Sequence, residues 1–210
     1  MFNKLNLSDI TVFCVDDIRP NEASDLLEQL SFKIDFFDVK LFSSQHTNAV
    51  KTNPISNISE YNNFLINELH SHINSEFAMC VQLDGYPLNF EAWDNDFLLY
   101  DYIGAPWTWV PRQLRKDSCP IGKAVGNGGF SIRSKKIMQE ALKYNYCDED
   151  PDEDIFLCRK ISDELKGDGV NFAPVELAHY FSVENDIYKG QFGFHGKKTI
   201  EINQKQGIFK

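Results

Sequence analysis

Apolar and polar residues alternate along the first 84 positions in a pattern that predicts three strands and two helices. Residues 10–15, 36–42 and 77–83 are short apolar runs rich in β-branched and aromatic side chains, which is typical of buried strands. Between them, apolar residues recur at helical spacing after Pro20 and again over residues 61–73. This order predicts βαβ units, and hence an α/β fold with a mostly parallel central sheet flanked by helices.

Carboxylates follow the ends of two of these predicted strands. Asp16 and Asp17 come directly after the first strand, and Asp84 follows the third. Because ligands bind outside the carboxyl ends of strands in such sheets, we expect the three side chains at one ligand-binding edge. The first strand–helix turn lacks a G-x-G-x-x-G or Walker motif, which argues against a Rossmann dehydrogenase and a P-loop enzyme.

An aromatic segment follows, with seven aromatic side chains within 20 positions, from Phe90 to Trp109. They either cover the core or form a ligand wall, to which Trp107 would belong, since aromatic faces stack on bases and sugars. Arg112, Arg115 and Lys116 form a local basic cluster, which is either a solvated loop or an attractor for phosphate.

A glycine run over residues 125–134 has Gly126, Gly128 and Gly129 within four positions. Glycines favour tight turns and places where the backbone passes close to a ligand. The alternation that follows predicts a strand, and Ser134 can cap the next helix.

Six carboxylates occupy the seven positions 148–154, directly before helical spacing that ends near Gly167. Asp152 fits an N-cap, and acidic residues in a first turn are favoured by the helix dipole. Six adjacent carboxylates also repel one another unless a positive group or a proton is near. A short strand over 170–173 and a helix over 175–181 follow, and the polar residues after 196 predict a surface strand or tail.

The length of 210 residues fits one domain, 1–210, with an ordered core over about 8–196. The formal net charge of −10 argues against nucleic acid or an anionic membrane as a partner, but not against a small anionic ligand. The five cysteines form no C-x-x-C pair. No signal peptide and no apolar run of the ~20 residues that span a bilayer is present, so we expect a cytoplasmic protein.

Three blocks resemble a family of small glycosyltransferase-like proteins with a GT-A-type fold, long catalogued as a domain of unknown function. The first block joins QLDG at 82–85 with DYIGAPW at 101–107, the second is GNGGFSIR at 126–133, and the third joins Glu153-Asp154 with FGFHG at 192–196. The resemblance spans roughly residues 10–196. It implies a single nucleotide-sugar-binding domain that transfers a sugar from a nucleotide-diphosphate sugar to a glycan or glycoconjugate acceptor, as in the synthesis of surface polysaccharide.

The resemblance also implies a metal site for Mn²⁺ or Mg²⁺ on the donor diphosphate. Asp84 and His195 match its ligands, whereas Gln82 stands where the family's D-x-D motif has its first carboxylate. Hard divalent cations accept few protein ligands when phosphate and water complete their shell.

The acidic pair Asp154 and Glu153 matches the base of inverting GT-A enzymes, which takes the proton from the acceptor hydroxyl, and we expect Asp154 to fill this role first. Asn127, Gly128 and Gly129 would let the backbone approach donor or acceptor. Asp16 and Asp17 would contact the nucleotide base or ribose, and Gln82 would also bind substrate.

Two other functions compete with an inverting, metal-assisted transferase. A non-catalytic sugar- or nucleotide-binding domain on the same fold is favoured by the missing carboxylate at Gln82, since a fold does not fix a function. A metal-dependent hydrolase or phosphotransferase is compatible with the acidic run.

Overall fold

The structure is a computed structural model that describes residues 4–107 and 124–210. The predictions made for Trp109 and for the basic cluster of Arg112, Arg115 and Lys116 lie outside the described residues.

The described residues form an α/β domain whose order confirms the predicted alternation of strands and helices. The strands are β1 (Leu5–Val15), β2 (Ile34–Phe42), β3 (Phe77–Cys80), β4 (Gly85–Pro87), β5 (Tyr102–Ile103), β6 (Ser131–Ser134), β7 (Ser182–Glu184) and β8 (Gly193–His195). The helices are α1 (Pro20–Ser31), α2 (Ile58–Asn63), α3 (Lys135–Ala141), α4 (Glu153–Ile155), α5 (Ser162–Gly167), α6 (Val175–Phe181) and α7 (Lys197–Lys205). Shorter 3₁₀ or π turns extend α2 over Phe64–Glu68 and Leu69–His72, α3 over Leu142–Tyr144 and α4 over Phe156–Lys160, and two more lie at Phe90–Ala92 and Asn95–Leu99.

The central sheet has five strands in the order β2-β1-β3-β6-β5. Strand β1 pairs in parallel with β2 and β3, as the βαβ pattern predicts. Strand β6 runs antiparallel to β3 and β5, so the sheet as a whole is mixed and the expected parallel order holds for its first three strands. Cys80, at the end of β3, is paired with Ser131, at the start of β6. The glycine run that precedes β6 therefore lies at the edge where β1 and β3 end.

A second, three-stranded sheet in the order β4-β8-β7 lies after the end of β3. The residues Gln82 and Gly85 close a tight turn through mutual backbone hydrogen bonds of 2.8 and 2.9 Å. Strand β4 then pairs with β8, which places Gly85 opposite His195, and β8 pairs in parallel with β7, which places Glu184 opposite His195. This small sheet brings distant parts of the chain beside the strand ends.

The expectation of a surface strand or tail after residue 196 is wrong for Lys197–Lys205, which form α7. Two polar residues, Thr199 and Asn203, are fully buried there. The Thr199 hydroxyl donates to the His195 carbonyl at 2.6 Å, and Asn203 Nδ2 donates to the Asp186 carbonyl at 3.0 Å. The helix docks through side-chain hydrogen bonds, and an apolar pattern does not reveal such contacts.

Aromatic side chains form a buried cluster in the core. Phe130 stacks on Phe181 with 4.8 Å between ring centroids, and Phe97 and Phe192 complete the cluster. Among the residues that the structure describes, no helix has both the length and the apolar character that crossing a bilayer requires.

Candidate functional site

The glycine run folds into a buried turn set by Asn127. This residue has a left-handed backbone (φ 73°), which asparagine tolerates better than most residues. Its Oδ1 accepts hydrogen bonds from the backbone N–H groups of Gly129 (3.2 Å) and Phe130 (3.4 Å). A Cβ at Gly128 would lie 1.5 Å from Glu153 Oε1, and one at Gly129 would lie 2.1 Å from His195 Nε2. Because glycine has no side chain, Gly128 leaves room for Glu153 and Gly129 leaves room for His195.

The Asp154 carboxylate is held against this turn. Its Oδ2 accepts from the Gly128 N–H at 3.0 Å, and its Oδ1 accepts from the Ile155 N–H at 2.7 Å. Burial raises the pKa of Asp154, the Gly128 hydrogen bond lowers it, and the negative charge of Glu184 raises it, with a net increase. The residue is still partly exposed. Its carboxylate therefore combines a fixed position and a raised pKa with access to the surface.

The neighbouring Glu153 points into the core and forms an ion pair with Arg133. The distance from Arg133 Nη2 to Glu153 Oε1 is 2.9 Å, and the side chains are 1% and 4% exposed. Burial raises the pKa of Glu153 to about 7, although Arg133 opposes the shift. Arg133 Nη2 also lies 3.4 Å from the Gly128 carbonyl. Asp154 therefore binds the N–H of Gly128 directly, whereas Glu153 holds the Gly128 carbonyl indirectly, through Arg133.

The His195 ring lies beside Gln82, Asp84 and Glu184. Its Nε2 is 3.1 Å from Gln82 Oε1 and 4.0 Å from Asp84 Oδ1, and its Nδ1 is 3.5 Å from Glu184 Oε1. Gln82 is itself oriented by Tyr61, whose hydroxyl accepts from Gln82 Nε2 at 2.7 Å. Burial lowers the pKa of His195, but the surrounding carboxylates, Glu184 first, raise it more and leave it above its usual value.

This arrangement fits an open metal site and not a closed protein cage. In the part of the chain that the structure describes, no group of three or more His, Cys, Asp or Glu side chains is arranged to hold a metal ion. His195 Nε2 nevertheless lies within 4.0 Å of both Asp84 Oδ1 and the Gln82 amide oxygen. One carboxylate with an imidazole and an amide oxygen suits Mn²⁺ or Mg²⁺ when substrate phosphates and water supply the remaining ligands.

A cleft of about 290 Å³ lies next to this cluster, at the ends of β1 and β3. Its lining includes Asp16, Asp17, Tyr61, Gln82 and Asp84, so the structure brings the three predicted strand-end carboxylates to one edge. This volume is at the lower limit for small-molecule sites.

The two carboxylates at the end of β1 are engaged with loops of the cleft wall. Asp16 Oδ1 accepts from the N–H groups of Ile18 (2.8 Å) and Arg19 (2.6 Å). Asp17 accepts hydrogen bonds from Ser43, Ser44 and Ile55, which outweigh burial and hold the pKa of Asp17 below its usual value. Their contact with a nucleotide stays a prediction, and the structure shows that they shape the cleft.

Trp107 lies outside this cleft lining, in the core, where it is 6% exposed. Its ring packs beneath Gly126, where an added Cβ would lie 2.0 Å from it, and the Arg159 guanidinium carbon is 4.2 Å from the ring centroid. For Trp107 this placement favours the core-covering alternative, and substrate contact stays a prediction.

The acidic run is divided among separate partners. Asp148 accepts from the Ser59 hydroxyl at 2.7 Å, Asp150 pairs with Lys160, and Asp152 accepts from Asn62 Nδ2 at 3.3 Å. Together with the different contacts of Glu153 and Asp154, this separation explains how adjacent carboxylates coexist.

Sequence reasoning missed Glu184 and the roles of Tyr61 and Arg133. Glu184 follows an ordinary amphipathic helix and belongs to no motif, so only the pairing of β7 with β8 reveals it. Tyr61 fits the apolar face of its helix, and its hydroxyl contact with Gln82 depends on tertiary packing. Arg133 lies in the segment GNGGFSIR at 126–133. A fully buried arginine requires a carboxylate partner, but the sequence does not show that this arginine is buried.

Comparison with solved structures finds a mannosyltransferase, PcManGT from Pyrobaculum calidifontis, in complex with GDP-Man and Mn²⁺. The match has a TM-score of 0.49 and 10% sequence identity, and it covers 78% of this chain and 53% of that one. The chain thus spans about half the length of that protein, and a likeness at this level decides nothing about activity or ligands. No protein of curated function matches the sequence. Residues 44–195 match the family described as "Protein of unknown function (DUF5672)", and the chain belongs to that family.

Proposed function

We propose that this protein is a glycosyltransferase with a GT-A-like fold that moves a sugar, with inversion, from a nucleotide-diphosphate sugar to a hydroxyl of a glycan or glycoconjugate. One observation carries the proposal: the adjacent residues Gly128 and Gly129 join Asp154 to the His195 cluster at the ends of the central strands. Gly128 donates its N–H to Asp154, and Gly129 packs against His195 and Gln82.

In this proposal Asp154 is the general base. Its two backbone hydrogen bonds fix the carboxylate, and each oxygen keeps a further lone pair for the proton of the acceptor hydroxyl. A base works best when its pKa is near the operating pH, and the pKa of Asp154 is displaced in that direction. Glu153, paired with Arg133 in the core, supports the turn that holds Asp154.

The donor would occupy the cleft between the end of β1 and the Gln82–Gly85 turn, with its diphosphate towards Asp84 and His195. Arg19 lines the same cleft and supplies a positive charge. Gln82, Asp84 and His195 are the residues that would hold Mn²⁺ or Mg²⁺. When bound, such a cation neutralises charge on the departing nucleoside diphosphate.

The test replaces Asp154 by asparagine, with Glu149→Gln as a control because Glu149 is an exposed carboxylate of the same acidic run. Thermal unfolding with a panel of UDP- and GDP-sugars and Mn²⁺ or Mg²⁺ identifies the donor. A donor at ~100 times its Kd adds about 2.7 kcal/mol to the free energy of unfolding. This equals roughly 5–10 °C at ~2–4 °C per kcal/mol.

We expect the Asp154→Asn variant to keep the donor-induced shift in the midpoint of thermal unfolding. Its rate of nucleoside diphosphate release should be about 10²–10⁴-fold below that of the wild type, which is the usual contribution of a general base. The Glu149→Gln variant should match the wild type in both measurements. The proposal is wrong if no nucleotide sugar shifts the wild-type midpoint, or if Asp154→Asn releases nucleoside diphosphate at the wild-type rate.

A non-catalytic donor-binding domain is the second candidate, and Gln82 favours it. An amide in place of a carboxylate lowers the charge available for a divalent cation. This candidate predicts that a nucleotide sugar stabilises the wild-type protein while no nucleoside diphosphate is released with Mn²⁺, Mg²⁺ or neither.

A further inference from the structure

We propose that an apolar groove on one face of the small sheet binds this protein to a membrane surface that carries anionic lipid. Strands β4 and β8 pair Tyr86 with Phe194 and Gly85 with His195. Because successive side chains of a strand point to opposite faces, Tyr86 and Phe194 project away from the face that carries His195. The groove therefore lies on the opposite face from the proposed active site, and the inference does not depend on sugar transfer.

Aromatic rings form the floor of this groove. Phe194 packs edge-on against Tyr86 and Phe209, with 5.0 Å between ring centroids in both pairs, and Phe209 packs against Tyr188 at 5.6 Å. Three aliphatic side chains complete the apolar lining, namely Leu88, Ile200 and Ile208. The groove has a volume of about 440 Å³, which is within the range of small-molecule sites.

The lining suits a hydrocarbon chain. Leu88 and Ile208 are 36% and 44% exposed, and apolar side chains exposed together mark an interaction site. The groove offers few hydrogen-bonding side chains, and the Tyr188 hydroxyl already donates to the Gln191 carbonyl at 2.8 Å. An extended peptide would bring backbone groups that need partners, whereas an acyl chain brings none.

The charges around the groove favour an anionic headgroup. Residues 187–210 carry five lysines and one glutamate, although the whole chain has a formal net charge of −10. Lys210 lines the groove, and Lys197 lies one helical turn before Ile200 on the same face of α7. Charges more than about 8–10 Å away are largely screened at physiological salt, so these lysines decide the attraction to a nearby surface. Apolar side chains flanked by lysines are typical of segments that bind anionic membranes.

A second copy of this chain fits the groove less well. A twofold interface presents the same patch from both subunits, so the lysines of one copy would face those of the other. An anionic phospholipid avoids this repulsion, because it supplies an acyl chain to the groove and a phosphate to the lysines.

The first test is co-sedimentation with vesicles of phosphatidylcholine alone and with vesicles that also contain phosphatidylglycerol. We expect the wild type to bind the vesicles with phosphatidylglycerol more tightly, and to be released as the salt concentration rises, because salt screens the lysines. Absence of binding, or equal binding to both lipid compositions, overturns the proposal.

Ile208→Asp tests the groove, with Leu99→Asp as its control because Leu99 is 69% exposed and lies outside the groove lining. The vesicle partition coefficient of Ile208→Asp should fall about tenfold or more, since burying an isoleucine side chain contributes at least that much. Leu99→Asp should bind as the wild type does. If circular dichroism shows that Ile208→Asp is unfolded, Ile208→Ser replaces it with the same expected direction. Unchanged binding by the groove variant contradicts the proposal, as does a wild-type dimer in sedimentation equilibrium that this variant dissociates, which would assign the groove to a second copy.

The double variant Lys197→Gln with Lys210→Gln tests the charges. Each lysine near an anionic surface contributes about a factor of five, so the partition coefficient should fall on the order of 20-fold. The control Lys4→Gln with Lys33→Gln makes the same change of charge at two exposed lysines outside the groove lining, and it should bind almost as the wild type does. Equal losses in the two double variants would show that binding follows net charge alone and would refute a site at the groove.

Discussion

The buried Arg133–Glu153 ion pair leads to the sharpest prediction about this fold. Replacing Glu153 by alanine removes the carboxylate partner of an arginine whose side chain is 1% exposed. The remaining acceptors near the guanidinium are neutral and distant, namely the Gly128 carbonyl and the Ser131 hydroxyl, each at 3.4 Å. Arginine does not lose its charge in proteins, so the variant has to bury an uncompensated cation or open the core to water.

The expected cost follows from that burial. Breaking a buried pair by removing one partner lowers the free energy of unfolding by about 3–5 kcal/mol. For a chain of this length, at ~2–4 °C per kcal/mol, the midpoint of thermal unfolding should fall by on the order of 6–20 °C. Because Arg133 contacts the Gly128 carbonyl, the turn that holds Asp154 should loosen as well.

The assay is urea and thermal unfolding followed by circular dichroism, with two further variants. The double variant Arg133→Met with Glu153→Leu removes both charges and should be more stable than Glu153→Ala, because no unpaired charge remains. Asp35→Ala is the control, since the Asp35 side chain is 73% exposed and its contact with Lys4 is 3.9 Å long. An exposed pair contributes about 0–1 kcal/mol, so this control should unfold almost as the wild type does.

A free energy of unfolding for Glu153→Ala within about 1 kcal/mol of the wild type would contradict the ion pair's role, since a buried unpaired charge costs more than that. Unchanged stability together with lost turnover would instead return Glu153 to the catalytic role that its sequence position suggests.

Three further predictions concern the loop, the base and the cleft wall. Gly129→Ala places a Cβ against His195 and Gln82, so we expect loss of the donor-induced thermal shift and a fall of about 1–3 kcal/mol in unfolding free energy, both measured by thermal denaturation. Because the pKa of Asp154 is raised and a base acts in its ionised form, turnover should fall, as pH decreases, at a higher pH than an ordinary aspartate would give, measured as a kcat/KM profile. The pKa of Asp17 is lowered in the folded state, so its contribution to stability is present above the unfolded pKa and is lost as pH falls through the folded pKa. Asp17→Ala should therefore destabilise more at pH 6 than at pH 3 in urea titrations.

Each of these predictions has its own control or contrary outcome. Gly167→Ala tests whether any glycine replacement matters, since no atom outside its own chain neighbours and helix backbone lies within 4 Å of the added Cβ, and it should leave both measurements almost unchanged. Equal behaviour of Gly167→Ala and Gly129→Ala would contradict the crowding argument. A turnover profile flat down to pH 4 would contradict the raised pKa of Asp154. Equal destabilisation by Asp17→Ala at both pH values would show that its hydrogen bonds do not depend on ionisation.

Much of the fold is determined by local sequence pattern. Apolar periodicity predicts the order and the approximate positions of the strands and helices in the first 80 residues, and α1 begins at the predicted Pro20. The strand ends differ, since β1 already begins at Leu5 and β3 ends at Cys80, before the predicted residue 83. The Ser134 side chain accepts from the Ile137 N–H at 3.2 Å, as expected of an N-cap. Such features depend on neighbours a few positions away, so the sequence contains them in full. The antiparallel direction of β6 does not follow from the local pattern, because it depends on pairing with β3 and β5, which are distant along the chain.

The same division holds within the site. The resemblance singles out Asp84, Asp154 and His195 as candidates and places Asp154 before Glu153 as the base, but the local sequence contains no physical reason for that order. Adjacent residues on a helical turn project about 100° apart, so one enters the core and the other remains at the surface, and only packing selects which. Glu184 joins His195 because β7 and β8 pair, and the glycines make room for side chains of residues distant along the chain. Tertiary structure decides these contacts because they join residues whose separation along the chain bears no relation to any helix or strand period.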